Sequence, residues 1–284
     1  MSSLLFDIPG PKAKARHRLY AVGFLVVLLG LLTLVARTLY AEEVLTPSVL
    51  NDAFQNRNIE FMLEGLLYGT LKAAGLGIVG SLVLGIVLAV GRLSEHWYFR
   101  MPVGLFIEFF RAVPLVLLIV FLYFGLRFEP LWALVVALWL YNGSVLAEVF
   151  RAGVNAVSKG QSEAAYALGM RKTQVMMIVL LPQAVKFMLP AIISQCVIVL
   201  KDTSLGALIV YGELVRNARL VAQDVNDGTI VVYATAALVF IAINYSLSKL
   251  AEYLQRRSAS RGGGPDRPIV APNLGEMSGG GGGV

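Results

Sequence analysis

Long apolar runs, separated by short charged or polar stretches, make up most of this chain. Six runs without a charged side chain lie at positions 19–36, 73–91, 112–126, 130–147, 187–200 and 228–248. The first, second and last are long enough to cross a hydrocarbon layer of about 30 Å, because an α-helix rises about 1.5 Å per residue. The pattern predicts an all-α membrane protein with six transmembrane helices.

The three middle runs are too short to cross a membrane unless they include the charged residues that flank them. A charge at membrane depth normally faces the interior of a helix bundle or a water-filled cavity, because lipid cannot solvate it. We therefore expect the functional residues in the third, fourth and fifth spans.

The composition supports a membrane protein and excludes a large soluble catalytic domain. Of the 284 residues, 57% are hydrophobic and 15% are charged, and the mean hydropathy is +0.72. The net charge of +6 is typical of cytoplasmic loops that face anionic lipid. With one cysteine and two histidines, the chain is expected to hold neither an intrachain disulfide nor a metal ion.

The positive charges are distributed unevenly between the two sides that six spans define. Fifteen Lys or Arg fall in residues 1–18, 91–102, 151–186 and 251–284, against five in the loops of the other side. Cytoplasmic loops carry this excess, so both termini are predicted to be cytoplasmic. The first apolar run exceeds the core of a secretory signal and lacks a suitable cleavage site after it. We predict that it is an anchor helix.

Three regions are expected along the chain. Residues 1–64 would contain a cytoplasmic tail, the anchor helix and a polar outer loop, and residues 65–255 would form the transmembrane core. Residues 256–284 are rich in glycine and proline, a composition that cannot bury enough apolar surface to offset chain entropy. We therefore expect a disordered cytoplasmic tail.

Two nucleotide-binding patterns were considered. Residues 75–80 match the glycine spacing of dinucleotide-binding folds, but they lie inside an apolar span without a preceding strand. Close helix packing is the better interpretation of Gly75, Gly77, Gly80 and Gly85. None of the eight lysines follows a glycine, so a P-loop cannot occur. If ATP drives this protein, another subunit hydrolyses it.

The longest loop on the predicted cytoplasmic side is expected to contain two short helices joined by a turn. Ser158 and Gln161 have the spacing of an N-terminal capping box, Glu163 adds an acidic group to the first turn, and Gly169 is a typical C-terminal stop. Residues 175–181 are too short to span a membrane. Both helices should therefore lie at the membrane surface.

The first of these helices would present a small apolar knob made of Ala164, Ala165 and Leu168. Two interpretations are open on composition alone. The knob can seat in a cleft on a partner protein, or the loop can rest as an amphipathic segment on lipid headgroups.

The spacing of this loop resembles the coupling-loop signature of permease subunits of ATP-binding-cassette importers. The matching positions are Glu163-Ala164-Ala165, three residues, Gly169, nine residues, Val179, one residue and Leu181-Pro182. Residues 108–114, 141–151 and 201–205 resemble the polar amino-acid branch of these permeases, with the glutamate-uptake permeases of actinobacteria most similar. The resemblance covers about residues 60–255, and Val179 replaces the usual isoleucine.

The resemblance implies a five-helix type I importer core behind the anchor helix and a role for this chain that is not enzymatic. It assigns Glu163, Ala164, Ala165 and Gly169 to docking on an ATPase. The implied partners are a cytoplasmic ATPase dimer that binds ATP and Mg²⁺, a second permease copy or homologue, and an extracytoplasmic solute-binding protein in the plasma membrane assembly. Small alanines permit close approach, and glycine permits the turn between helices.

Charged residues within the spans allow a structural and a functional interpretation. Glu108 with Arg111, and Glu148 with Arg151, are three residues apart and share helix faces. They can pair within or between helices and hold the bundle, or Arg111 can meet a substrate carboxylate. Pro114 predicts a local break in the helix just beyond.

Adjacent Lys201 and Asp202 point apart on a regular helix, so each needs another partner. They can line a passage or hold a gate. The candidate passage residues are Arg111, Asn142, Ser144, Lys201, Asp202, Thr203 and Ser204.

The leading hypothesis is import of a polar amino acid, with glutamate favoured, by alternating access driven by a separate ATPase. The alternative is a stand-alone secondary transporter that uses Glu108, Glu148 or Asp202 as its proton site. A membrane scaffold without transport would leave the charges within the spans unexplained.

Overall fold

The computed structural model describes residues 11–41, 44, 46–225 and 228–261, and every regular element in them is helical. The α-helices are α1 (Pro11–Ala41), α2 (Pro47–Ala53), α3 (Asn56–Glu64), α4 (Lys72–Arg92), α5 (Trp97–Ala112), α6 (Leu115–Val120), α7 (Pro130–Asn155), α8 (Lys159–Ala167), α9 (Lys172–Gln174), α10 (Leu181–Asp202), α11 (Leu214–Asp224) and α12 (Thr229–Arg261). Wider π-helical turns form Gly65–Leu71, Phe121–Gly125 and Val175–Leu180, and a 3-10 helix forms Thr203–Ile209. The predicted all-α class is confirmed.

Five continuous helices are long and apolar enough to cross a membrane, and a sixth candidate is bent. The five are Arg16–Ala41, Asn56–Arg92, Pro130–Asn155, Lys172–Ile209 and Thr229–Leu250. The sixth consists of α5 and residues 115–125, which meet at an angle of 97°. The structure therefore allows the six predicted spans.

The third candidate span begins at Trp97, well before its uncharged run at residues 112–126 and inside the predicted inner loop 91–102. α5 ends at Ala112, so the helix that precedes this run covers part of what was assigned to an inner loop. The chain breaks at Val113, which is extended (φ −78°, ψ 125°), directly before Pro114. Proline disfavours a helical residue in front of it and cannot donate a backbone hydrogen bond. The break predicted at Pro114 is thus confirmed, and it separates α5 from residues 115–125 within the third candidate span.

The second and fifth spans begin earlier than their apolar runs. The second starts at Asn56, within the stretch expected to be a polar outer loop, and the fifth starts at Lys172. Residues 175–181 are therefore not a separate surface helix, because the helix continues through them into α10. α12 continues to Arg261, past the start of the predicted tail, while residues 262–284 lie outside the described residues.

The chain divides into two compact units. Among the described residues, the first contains those up to Leu66 together with those between Leu214 and Leu238, and the second contains Leu67–Glu213 together with those from Val239 to Arg261. In the first unit, α3 packs against α11, and the Asn217 amide donates to the Phe61 carbonyl at 2.7 Å. The apolar part of α1 has none of its residues buried, as a lone anchor helix in lipid would.

The second unit is built on the packing of α4 against α7. The Ser81 hydroxyl donates to the Leu138 carbonyl at 3.0 Å, and the Trp139 indole N–H donates to the Leu76 carbonyl at 2.8 Å. Hydrogen bonds and close packing between helices replace the hydrophobic effect inside a membrane, because lipid tails are as apolar as leucine. The core around this contact includes the fully buried Leu134.

Three of the glycines predicted to permit helix packing do so. A Cβ added at Gly77 would lie 3.0 Å from Leu138, one at Gly85 would lie 2.8 Å from Leu146, and one at Gly80 would overlap the Trp139 indole. Gly75 was assigned the same role, and this is wrong because nothing lies within 4 Å of a Cβ built there. The glycine pattern of residues 75–80 therefore serves the contact between α4 and α7.

Candidate functional site

The loop after α7 forms one short helix that is closed by a glycine turn. α8 runs from Lys159 to Ala167, and Gly169 follows with φ +78°, a conformation that favours glycine. The Gly169 N–H donates to the Tyr166 carbonyl at 2.9 Å, and the Met170 N–H donates to the Ala165 carbonyl at 3.2 Å. These two bonds form a Schellman motif, so the predicted stop at Gly169 is confirmed.

The start of α8 differs from the prediction. Ser158 stands at the N-cap, but its hydroxyl makes no capping hydrogen bond. Glu163 lies beyond the first turn, because the helix already begins at Lys159. Neither the predicted capping box nor the predicted charge at the helix start is therefore present.

The solvent-exposed side of α8 and the turn after it carry three of the four residues assigned to ATPase docking. Glu163, Ala164 and Gly169 are exposed, and Leu168 is 83% exposed. Ala165, by contrast, is buried. The predicted knob therefore consists of Ala164 and Leu168, and Ala165 belongs to the inner face of the helix.

The buried side of α8 rests on the beginning of the fifth span. α8 packs against the π-helical segment Val175–Leu180, in which Val175 is fully buried. The Gln183 amide donates to the Val179 carbonyl at 2.9 Å and to Gln161 of α8 at 3.5 Å. α8 is therefore in direct contact with the helix that continues into α10.

Four charged residues form an alternating chain that joins α4, α5 and α7. Glu108 lies 3.3 Å from Arg92, and Arg92 lies 3.8 Å from the second carboxylate, Glu148. Arg151 donates to one Glu148 oxygen through two nitrogens, at 2.9 and 2.7 Å. The predicted Glu148–Arg151 pair is confirmed. Glu108 pairs with Arg92 of another helix, so the predicted pairing between helices is confirmed for Glu108, and its pairing with Arg111 is wrong.

Arg92 was missed as the centre of this chain of charges. It ends the second span, where a cationic residue is ordinary and its partners in distant helices leave no local mark. Glu108 and Glu148 each have an arginine three residues later in the sequence, so neither carboxylate pointed to a cation elsewhere.

The structure brings together only some of the candidate passage residues. Asn142, Ser144 and Thr203 are fully buried, Asp202 and Ser204 are partly buried, and Arg111 and Lys201 are exposed. Arg111 lies at the end of α5, at the break before Pro114, and makes no ion pair among the described residues. The seven side chains do not form one lining.

The hydroxyl groups of the candidate passage are already committed to backbone bonds. Ser144 donates to the Leu140 carbonyl at 2.7 Å, Thr203 to the Leu200 carbonyl at 2.6 Å, and Ser204 to the Lys201 carbonyl at 2.8 Å. Such local bonds satisfy polar groups at membrane depth without a substrate. These hydroxyls can still accept a hydrogen bond but do not present a free proton.

Among the candidate passage residues, Asn142 makes a side-chain contact with another helix, in a buried amide pair between α7 and α10. The Gln195 amide donates to the Asn142 side-chain oxygen at 2.5 Å, and both residues are buried. The Asn142 amide nitrogen has no hydrogen-bond partner among the described residues, and the Asp202 carboxylate lies nearby without a bond of standard geometry. Gln195 was not predicted, although it is a lone amide in the apolar run 187–200.

An ion pair joins the segment that follows α8 to the turn between α4 and α5. Lys172, at the start of the fifth span, forms an ion pair with Glu95 in the turn between α4 and α5. The hydrogen bond and the charge of Lys172 lower the pKa of Glu95 from its ordinary value. The segment after Gly169 is therefore fixed to the same end of the second unit as Arg92.

Comparison with known proteins finds one family and several relatives. Residues 81–260 match the family described as the binding-protein-dependent transport system inner membrane component. The chain is 41% identical to the glutamate transport system permease protein GluD of Corynebacterium glutamicum over 222 residues, which is 74% of this chain and 79% of the relative. It is 33% identical to the probable glutamine ABC transporter permease protein GlnP of Bacillus subtilis, over 72% of this chain and 97% of the relative.

A solved structure shows the same fold. The crystal structure of an amino acid ABC transporter with histidines superposes with a TM-score of 0.66 at 28% identity, over 71% of this chain and 95% of that chain. Most of the chain, including α8 and the buried amide pair, falls in the matched family region.

Proposed function

This chain belongs to the binding-protein-dependent transport system inner membrane components and is the permease subunit of an ABC amino-acid importer in the plasma membrane, and we propose that its substrate is glutamate or a close relative. Support for glutamate comes from the relative named for glutamate at 41% identity. The relative named for glutamine, at 33%, makes glutamine the competing substrate.

The proposed coupling surface is the exposed side of α8. This proposal depends on one observation: Glu163, Ala164 and Gly169 match the signature and are exposed, while the opposite face of α8 contacts the fifth span. An ATPase that docks here pushes on a helix that reaches Asp202. ATP binding then favours an outward-open bundle, and hydrolysis favours the inward-open one.

The proposed assembly has both termini and α8 on the cytoplasmic side. The excess of Lys and Arg in the loops of that side supports this orientation. The partners are an ATPase dimer that supplies ATP and Mg²⁺ binding, a second permease subunit, and an extracytoplasmic solute-binding protein.

The proposed passage runs past the buried amides rather than along all seven candidate side chains. The amide nitrogen of the fully buried Asn142 makes no hydrogen bond of standard geometry, so a substrate carboxylate can compete with the nearby Asp202 carboxylate for its hydrogen bond. Lys201 and Arg111 are exposed in this chain, so they can meet the substrate only where a second permease subunit closes over them.

The coupling proposal is tested by reversing the charge on α8. We would express the chain with its ATPase and binding protein, reconstitute the complex, and compare ATP-driven uptake of labelled glutamate for the native chain, Glu163→Lys and Gly169→Val. We expect both variants to lose uptake. Glu163→Lys places a positive charge where the proposed ATPase surface faces a carboxylate, and Gly169→Val puts a β-branched residue at a φ of +78°.

The matched control is Glu60→Lys, which makes the same charge change at an exposed position of α3. Retention of the ATPase on the purified chain is measured in parallel. Uptake and ATPase retention that survive Glu163→Lys unchanged would contradict the docking role. Uptake by the purified chain alone, abolished by collapsing the proton gradient, would instead support a secondary transporter.

A further inference from the structure

An open pocket with a strongly basic lining lies in the second unit, where α4, α5 and α7 meet. Its volume is about 410 Å³. The lining consists of Arg92, Leu93, Ser94, Arg100, Arg151 and Asn155. Three of these side chains are guanidinium groups and none is a carboxylate, so the lining favours an anion.

Two of the three arginines, Arg92 and Arg151, contact a carboxylate that is not part of the pocket lining. Glu148 binds Arg151 through two hydrogen bonds and lies 3.8 Å from Arg92. A guanidinium carries five N–H donors, and Arg151 gives two of them to Glu148, so donors remain for a ligand. The carboxylate fixes the direction of the two cations without occupying the pocket.

The third arginine has no such partner. Arg100 is exposed, and among the described residues it makes no ion pair. Three arginines line the pocket, while Glu108 and Glu148 are the two carboxylates paired with them. One positive charge of the pocket lining therefore remains uncompensated.

The residues before Arg100 place this pocket at the level of lipid headgroups. Trp97, Tyr98 and Phe99 begin α5 and are 68%, 53% and 57% exposed. Exposed tryptophan and tyrosine next to a membrane span are typical of the interface between the hydrocarbon and the headgroups. Arg100 follows directly, so its guanidinium reaches the same depth.

We propose that this pocket binds the phosphate of an anionic phospholipid headgroup. The planar guanidinium matches two phosphate oxygens at once, and basic pockets between transmembrane helices are suited to such headgroups. Free inorganic phosphate has the same recognition chemistry. The aromatic residues at the start of α5 favour the lipid, because a free anion would gain nothing from them.

The experiment measures which lipid the full chain retains. The chain, with the subunits that accompany it, is purified in mild detergent, exposed to an equimolar mixture of phosphatidylglycerol and phosphatidylcholine with identical acyl chains, and examined by native mass spectrometry. We expect preferential retention of phosphatidylglycerol, reduced about fivefold by Arg100→Gln, since one surface cation contributes about that factor. Arg100→Lys should keep most of the preference, because it keeps the charge.

The matched control is Arg219→Gln, which removes the same charge from an exposed position of α11 and should leave the retained lipid unchanged. Equal retention of the two lipids, or equal loss in both glutamine variants, overturns the proposal. In a separate arm, 10-fold excess inorganic phosphate over lipid is added. Displacement by phosphate with no preference between the two lipids assigns the pocket to a free anion and overturns the lipid proposal.

Discussion

The contact between α4 and α7 makes a quantitative prediction for Gly80→Ala. A Cβ at this position would overlap the Trp139 indole, whose N–H donates to the Leu76 carbonyl at 2.8 Å. The indole must move, and a forced shift in a packed core costs about 1–3 kcal/mol. Losing the interhelical hydrogen bond adds about 0.5–1.5 kcal/mol. We therefore expect a destabilisation of about 1.5–4.5 kcal/mol.

A matched variant on the same helix isolates the packing effect. Nothing lies within 4 Å of a Cβ at Gly75, so Gly75→Ala makes the same chemical change without a clash. It should be neutral or slightly stabilising, because alanine is the better helix former. Any difference between the two variants therefore reports the contact with Trp139.

The assay is the apparent Tm of the detergent-solubilised chain. It is determined by heating samples and measuring the fraction that still elutes as a monodisperse species in size-exclusion chromatography. The expected cost corresponds to a Tm lower by roughly 5–15 °C for Gly80→Ala. Intrinsic tryptophan fluorescence should shift in the same variant, because the partly buried Trp139 indole must move. If Gly80→Ala and Gly75→Ala melt at the same temperature, the close approach of α4 to α7 at this position is wrong.

Two further predictions concern polar contacts. Gln195→Leu removes the hydrogen bond to the buried Asn142 and should destabilise the chain by about 1–3 kcal/mol, measured by thermal melts. Replacing both Gln195 and Asn142 by leucine should recover part of this loss, because no buried amide is then left without its partner. Glu95→Gln should lower the Tm above pH 4.5, because the lysine partner lowers the pKa of Glu95 from 4.5. That stabilisation is lost as pH falls through the lowered value, so the two melts should converge in acid; a constant difference would contradict it.

Much of the fold follows from the sequence because lipid leaves few alternatives for an apolar run. Helices must satisfy their own backbone, so the long runs near residues 19, 73 and 228 predicted spans correctly. The start of the second span at Asn56 was missed because residues 56–64 are amphipathic and carry charges. Composition alone cannot show that such a stretch extends an apolar helix.

The site was predictable where local chemistry determines it and not where distant helices meet. Gly169 was identified because a helix stop depends on one backbone conformation. Arg92 and Gln195 were missed because their partners, Glu108 and Asn142, lie 16 and 53 positions away in sequence. Neither contact leaves a spacing pattern that can be recognised without the packing.

The continuous helix Lys172–Ile209 has a thermodynamic consequence for the whole subunit. Its 38 residues cover about 57 Å if regular, and one end adjoins α8 while the other carries Asp202. A protein that holds one end in a preferred position changes the occupancy of the other end, and linkage requires the reverse effect to be equally large. On the proposed function, amino acid bound near Asp202 should therefore alter the affinity of α8 for the proposed ATPase by the same factor with which that ATPase alters the affinity for the amino acid.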